Sequence, residues 1–148
     1  MKHILGNAKG ITLIEIIVTM TIIAIFATLA FTQVGGYVGK ARINATKTQI
    51  KNFEQALELY KTDNDFYPTT EQGLHALLQP PTVGNVPENY PSGGYLKKKD
   101  VPKDPWGREY VYACPGVHNT GDYDLSSNGQ DGVGGGNDDV TNWADERS

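Results

Sequence analysis

The chain has 148 residues, with 13 basic and 17 acidic side chains and a formal net charge of −4. No basic patch dominates, which argues against nucleic acid as a partner, and the single cysteine, Cys114, excludes an internal disulfide. Setting aside a leader and an apolar anchor leaves roughly 110 residues, enough for one soluble domain.

Residues 1–10 carry Lys2 and Lys9 and are expected to stay cytoplasmic under the positive-inside bias. Residues 11–31 then read ITLIEIIVTMTIIAIFATLAF, with Glu15 the only charge. About 20 apolar residues are what a helix needs to cross roughly 30 Å of hydrocarbon. A cleaved secretory signal has a shorter apolar stretch, roughly 7–15 residues, ending at a small-residue site. This run is longer and no such site follows it. Two readings remain: a plain signal anchor, or an anchor trimmed between Gly10 and Ile11 so that the run survives. Glu15 bears on the choice. A carboxylate in a membrane helix costs a few kcal/mol and is usually paired. A new α-amine on Ile11 of a neighbouring helix, shifted along the axis, would serve as the partner. Alternatively, Glu15 sits near enough to the interface to stay wet.

Gly35, Gly36 and Gly39 follow the run and mark an expected soft or bent place, since glycine costs up to about 1 kcal/mol in a helix interior. The helical pattern resumes with Ile43, Ile50, Phe53, Leu57 and Tyr60 along one face. Glu54 and Glu58 can each reach a lysine three residues away, Lys51 and Lys61, for a few tenths of a kcal/mol. The two segments together predict one helix of about 50 residues, the first half in a membrane and the second outside. Asp63-Asn64-Asp65 ends it.

Thr69 and Gln72 fit a capping box, predicting a short helix over Leu74, Leu77 and Leu78 that Pro80 and Pro81 stop. Residues 82–102 read as loop, and within them Lys97, Lys98 and Lys99 read as a solvated basic run. Asp104-Pro105-Trp106-Gly107 predicts a tight turn with a bulky anchor. Residues 109–113 and 122–126 read as strands of a small antiparallel sheet lying on the long helix, with Cys114 buried at the end of the first. The tail from Ser127 is glycine-rich and acidic and closes with Trp143. The fold class is therefore α+β. No catalytic constellation is visible: His3 is in the leader, and His75 and His118 have no serine or cysteine at a recognisable spacing. The chain reads as a structural subunit rather than an enzyme.

Residues 128–139, NGQDGVGGGNDD, carry the chemistry most worth weighing. Calcium takes six to eight hard oxygens at flexible geometry. Asp131, Asp138 and Asp139 supply carboxylates, and the glycines let the backbone curl its carbonyls inward. No glutamate closes a twelve-residue EF-hand loop, and the glycine-aspartate unit does not repeat. Spacing alone leaves a mobile acidic loop as the plainer reading.

Two sets of residues carry a family resemblance. Lys9-Gly10 followed by Ile11-Thr12-Leu13-Ile14-Glu15 resembles the N-terminal motif of type IV pilins and pseudopilins. The ordered run Tyr67-Pro68-Thr69-Thr70-Glu71-Gln72-Gly73-Leu74, Tyr90-Pro91, Gly93-Gly94-Tyr95, Asp104-Pro105-Trp106-Gly107, Tyr123-Asp124-Leu125, Asn137-Asp138-Asp139 and Asn142-Trp143 is similar to the major pseudopilins of type II secretion systems, over nearly the whole chain. No paired-cysteine loop is present, unlike in many type IV pilins. Three positions depart from the usual pattern: Ile11 stands where phenylalanine is common, Thr32 where proline is frequent, and Gly136 where a serine is often found.

The resemblance implies a pilin-like fold with a leader (1–10), a hydrophobic transmembrane and assembly helix (11–39) and a periplasmic domain (40–148). It implies that a prepilin peptidase cuts between Gly10 and Ile11 and that Ile11 is N-methylated. Glu15 would act in assembly. Calcium would be held by the carbonyls of Asn128 and Val133 and the carboxylates of Asp131, Asp138 and Asp139. The implied partners are further copies of the chain, minor pseudopilins, an inner-membrane assembly platform and the peptidase. The implied place is the bacterial inner membrane, crossed once. The implied function is a filament subunit that helps export folded proteins across the outer membrane. A type IV pilus subunit and a monomeric membrane-tethered calcium-binding module stand as alternatives.

Overall fold

The computed structural model describes residues 10–143, and for residues 29–35 the backbone alone. Its first element, α1, is an unbroken helix over Leu13–Asn64, 52 residues long. The single helix of about 50 residues expected from the apolar run and the stripe is therefore present. Helical backbone continues through the glycines, and at Gly36 and Gly39 nothing lies within 4 Å of where a Cβ would stand, so glycine is not required there by crowding. The chain divides into two compact units, residues 1–39 and residues 40–148.

In the first unit, large apolar side chains are exposed all round the helix, among them Leu13, Ile14, Ile17, Met20, Ile23 and Phe26. The hydroxyls between them turn back onto the helix. Thr19 donates to the Glu15 carbonyl at 2.8 Å, Thr21 to Ile17 at 2.7 Å and Thr28 to Ile25 at 2.7 Å. This satisfies each of these hydroxyls locally, as apolar surroundings require. Among the described residues, no helix is long and apolar enough to cross a membrane.

In the second unit, the predicted stripe is the core. Ile50, Phe53, Leu57 and Tyr60 are buried and Ile43 packs at the edge. Against them lies a three-stranded antiparallel sheet of β1 (Val111–Ala113), β2 (Asp124–Ser127) and β3 (Val140–Thr141), in the order β1-β2-β3. Val111 is opposite Ser126 and Ala113 opposite Asp124. Tyr110, Tyr112, Tyr123, Leu125 and Val140 close the core from the sheet side. The Phe53 and Tyr110 rings meet edge to face at 5.1 Å, a favoured aromatic geometry.

The expected strands are shorter than their sequence spans, and β3 was not foreseen: two residues cannot display an alternating pattern. The Thr69–Gln72 box forms reciprocally. Gln72 Oε1 accepts the Thr69 N–H at 2.9 Å, and Thr69 Oγ1 accepts the Gln72 N–H at 3.3 Å. The box leads into a single 3₁₀ turn, Leu74–Leu77, with Leu78 at its end. Two expectations are corrected. Glu58 does not pair with Lys61: its Oε1 accepts the Tyr67 hydroxyl at 2.6 Å, while Lys61 Nζ lies 3.5 Å from Asp122 and over the Tyr67 ring. Cys114 is half-buried rather than buried.

The turn after β1 is wrapped around the Asp124 carboxylate. Its Oδ2 accepts the N–H of Val117 at 2.8 Å and of His118 at 2.9 Å, and its Oδ1 accepts that of Asn119 at 2.9 Å. Burial alone would raise the Asp124 pKa. The N–H donors, with the His118 ring 2.9 Å away, outweigh it and hold the carboxyl below the ordinary aspartate value. A depressed folded value means that stability is present above the unfolded value and lost as pH falls through the folded one.

Two outcomes are expected. Phe53→Ala should cost about 3–5 kcal/mol, whereas Leu59→Ala, on the exposed face of the helix, should stay within about 0.5 kcal/mol; thermal unfolding of the detergent-solubilised chain checks both. Asp124→Asn should melt lower than wild type at pH 7. Unfolding scans at decreasing pH should show that gap narrowing below about pH 4, the ordinary aspartate value, and a gap that persists in strong acid would refute the assignment.

Candidate functional sites

Residues 128–139 leave the sheet after β2 and return to it at β3. Both ends are fixed by the pairing of Ser126 with Thr141 and Ser127 with Val140. Between these anchors, one carboxylate oxygen each from Asp131, Asp138 and Asp139 lie within 4.8 Å of one another. The loop closes on its own acids. Asp138 Oδ2 accepts the N–H of Gln130 at 2.5 Å and of Asp131 at 2.9 Å. Asp131 Oδ1 accepts the Val133 N–H at 2.8 Å, and Asp139 Oδ2 accepts the Gly135 N–H at 2.6 Å. Each carboxylate thus spends one oxygen on the loop backbone.

Two of the other oxygens, Asp138 Oδ1 and Asp131 Oδ2, face one space beside Gly136. A Cβ on Gly136 would stand 2.9 Å from Asp138 Oδ1, 3.2 Å from Asp131 Oδ2 and 3.4 Å from the Val133 carbonyl. Asp139 Oδ1 is buried with no hydrogen-bond partner. An orphaned buried acceptor costs about 1–3 kcal/mol, and three carboxylates at this spacing repel one another. Clustered hard oxygens, one of them buried without a donor, are a set that suits a hard divalent cation. The residues present therefore fit calcium. The N–H groups of Asp131 and then Gln130 hold the Asp138 carboxyl below its ordinary pKa, so it stays ionised at neutral pH. Of the two carbonyls expected as ligands, that of Val133 faces the space. That of Asn128 accepts the Gly132 N–H at 2.9 Å, with a second lone pair left over.

At the other end of the chain, Gly10 and Ile11 precede the helix and are exposed, Ile11 by 72%. A peptide bond outside regular structure and open to solvent is the kind a peptidase reaches. Glu15 lies in the first turn of α1. Its N–H donates to Thr12 Oγ1 at 3.3 Å, so Thr12 caps the helix. The T-x-x-E signal for this cap was present in the sequence and was missed. The first turn also favours a carboxylate, because the helix N-terminus carries partial positive charge.

Sequence reasoning also missed Arg108. Its Nη1 donates to the Gly129 carbonyl at 2.7 Å, and its Nη2 to that of Gln130 at 3.2 Å. No local spacing joins residue 108 to the loop, so no sequence signal was available. Trp143 stacks on the His118 ring, with centroids 4.2 Å apart.

Comparison with known proteins places these features in a family. Residues 33–143 match the family model described as "Type II secretion system (T2SS), protein G", and residues 5–31 match the prokaryotic N-terminal methylation motif. The type II secretion system core protein G of Escherichia coli (strain K12) is 44% identical over 135 residues, covering 91% of this chain and 90% of that protein. The protein of the same name from Pseudomonas aeruginosa (strain PAO1) is 45% identical over 138 residues, covering 91% and 94%. A crystal structure of the major pseudopilin from the type 2 secretion system of enterohaemorrhagic Escherichia coli matches with a TM-score of 0.65 at 41% identity, covering 73% of this chain and 87% of that one. The chain belongs to the type II secretion system protein G family.

Proposed function

We propose that this chain is the major structural subunit of a type II secretion pseudopilus, polymerising through its N-terminal helix so that the growing filament helps drive folded proteins across the outer membrane. The observation that carries the reading is the division of labour along α1. Its first part exposes apolar side chains on every side and its last part buries one stripe under a folded domain. Exposed apolar surface of that extent demands a partner. The run of residues 11–31 in the sequence suits a bilayer before assembly and neighbouring copies of the same helix afterwards. Residues 1–10 are a leader, 11–39 the anchoring and assembly segment, and 40–148 the periplasmic domain of a protein held in the inner membrane by one span. Minor pseudopilins, an assembly platform and a prepilin peptidase are its partners.

Cleavage between Gly10 and Ile11 frees an α-amine close to Glu15. In a filament, the amine of one subunit meets the carboxylate of another and offsets the cost of holding that charge among apolar helices. Methylation of the Ile11 amine keeps its positive charge. In the periplasmic domain, calcium is taken by Asp131, Asp138 and Asp139 with the Val133 carbonyl, and Asn128 closes the turn beside it. The bound ion supplies charge neutralisation and a fixed loop; the protein supplies the oxygens.

Coexpression with a prepilin peptidase followed by N-terminal sequencing should give a chain that begins at Ile11; an intact Met1 would sink the processing step. Glu15→Leu should leave membrane insertion intact while abolishing disulfide crosslinking between cysteines introduced on neighbouring subunits. Undiminished crosslinking would favour a monomeric tether. The purified chain should melt higher in calcium than in chelator, by about 2.7 kcal/mol of added stability at roughly 100 times the dissociation constant. Asp138→Ala should remove the difference, and magnesium should substitute poorly because it demands a tighter octahedron. Calorimetric titration showing no heat at millimolar calcium would leave residues 128–139 as an acidic loop only.

A further inference from the structure

We propose that Arg108 is a positioning residue for the cation site, presetting the 128–139 loop from behind so that Asp138 is aimed before any metal arrives. This role rests on the calcium reading of residues 128–139 and adds a residue that is not itself a ligand.

Two consecutive peptide groups link Arg108 to Asp138. The Gly129 carbonyl and the Gln130 N–H belong to one planar unit; the Gln130 carbonyl and the Asp131 N–H belong to the next. Arg108 grips the carbonyl end of both, with Nη1 on Gly129 at 2.7 Å and Nη2 on Gln130 at 3.2 Å. Asp138 Oδ2 takes the N–H end of both. In a trans peptide the C=O and N–H point to opposite sides. A guanidinium on one side therefore turns both donors towards the carboxylate on the other. With Oδ2 so held, Oδ1 of Asp138 is left facing the space beside Gly136.

Arg108 is in turn held in place. Its N–H donates to Asp104 Oδ1 at 2.8 Å and its carbonyl accepts the Asp104 N–H at 2.8 Å. Asp104 is buried, and its Oδ2 accepts the Ser127 hydroxyl at the root of the loop at 2.7 Å. The guanidinium packs flat against Gly132, where an added Cβ would fall 2.5 Å from Nε and 2.6 Å from Cζ. Gly132 also has φ +76°, so glycine is required there twice over. A lysine in place of Arg108 would present one ammonium where the planar fork reaches two carbonyls.

A cation near the site also repels a second cation, so the measurement must separate positioning from repulsion. The test titrates calcium into the full-length chain in detergent by calorimetry, for wild type, Arg108→Met and Arg108→Lys, with melting in chelator followed in parallel. Loss of a residue that orients a ligand typically weakens metal binding 10- to 100-fold. Arg108→Met should raise the calcium dissociation constant by about that factor. Arg108→Lys, which keeps the charge and most of the packing, should fall between the two and serves if the methionine variant does not fold. A dissociation constant unchanged in both variants, with only a lower melting temperature, would reduce Arg108 to a structural brace and overturn the proposal. Tighter binding in Arg108→Met would overturn it by showing that charge repulsion dominates. A wild-type chain that takes up no calcium would remove the metal reading itself, which the variants alone cannot do.

Discussion

The domain depends on one contact surface, the stripe of Ile50, Phe53, Leu57 and Tyr60 on α1 meeting the tyrosines and Leu125 of the sheet. Neither side is stable without the other. A helix in water gains most of its stability from packing an apolar face. The longest strand of the sheet has four residues, and short antiparallel ribbons need packing to persist. The sheet compensates for its size with aromatic bulk. Tyr110 meets Phe53, Tyr112 lies near Tyr123, and Tyr123 meets Tyr67 edge to face at 4.8 Å. Tyrosine supplies area along with a polar tip, and two of the tips are used: the Tyr112 hydroxyl donates to the Pro68 carbonyl at 2.8 Å and that of Tyr90 to Ala76 at 3.0 Å, whereas those of Tyr60 and Tyr110 are buried without a partner. The first bond ties residues 66–96, which have no strand of their own, onto the sheet, and the second holds that segment together.

Much of this was legible in the sequence because it has a period or a fixed offset. The stripe repeats at helical spacing. The Thr69–Gln72 box and the turn at Asp104–Gly107 follow from local chemistry, and Asp104 Oδ1 accepts the Trp106 N–H at 3.1 Å as that turn requires. The unread parts are those without a period. β3 is two residues long. The partners of Glu58 and Lys61 are set by tertiary packing, which brought Tyr67 and Asp122 closer than the helical neighbours. In the candidate metal site, the three aspartates announced themselves by composition, but which oxygen each spends on the backbone is a property of the closed loop. Arg108 was invisible because it acts across more than twenty positions of chain.

The acidic loop shows how a small domain reconciles repulsion with order. Its three carboxylates are each anchored by backbone N–H groups, which act as fixed partial charges and offset part of the repulsion before any ion is present. The arrangement commits one oxygen of every acid and leaves Asp138 Oδ1 and Asp131 Oδ2 facing one space. Asp131 is exposed and Asp138 and Asp139 are half-buried, while Asp139 Oδ1 is buried without a partner.

The tail beyond the loop explains where a change there would be felt. β3 alone adds little, since its ladder has only two paired positions. Asn142 extends it. Its N–H donates to the Leu125 carbonyl at 2.9 Å, its side-chain oxygen accepts the Leu125 N–H at 2.8 Å, and its amide donates to the Tyr123 carbonyl at 3.2 Å. Trp143 then stacks on His118, whose turn is held by Asp124. Residues 128–143 therefore form a strap fastened by Arg108 near its start and through Asn142 and Trp143 at its end. Among the described residues of the strap, only Val140 belongs to the core. Local opening follows the fewest buried contacts, so loosening the loop frees this segment first and leaves the Phe53–Leu57–Tyr60 core intact. Order in the strap is thus separable from folding of the domain.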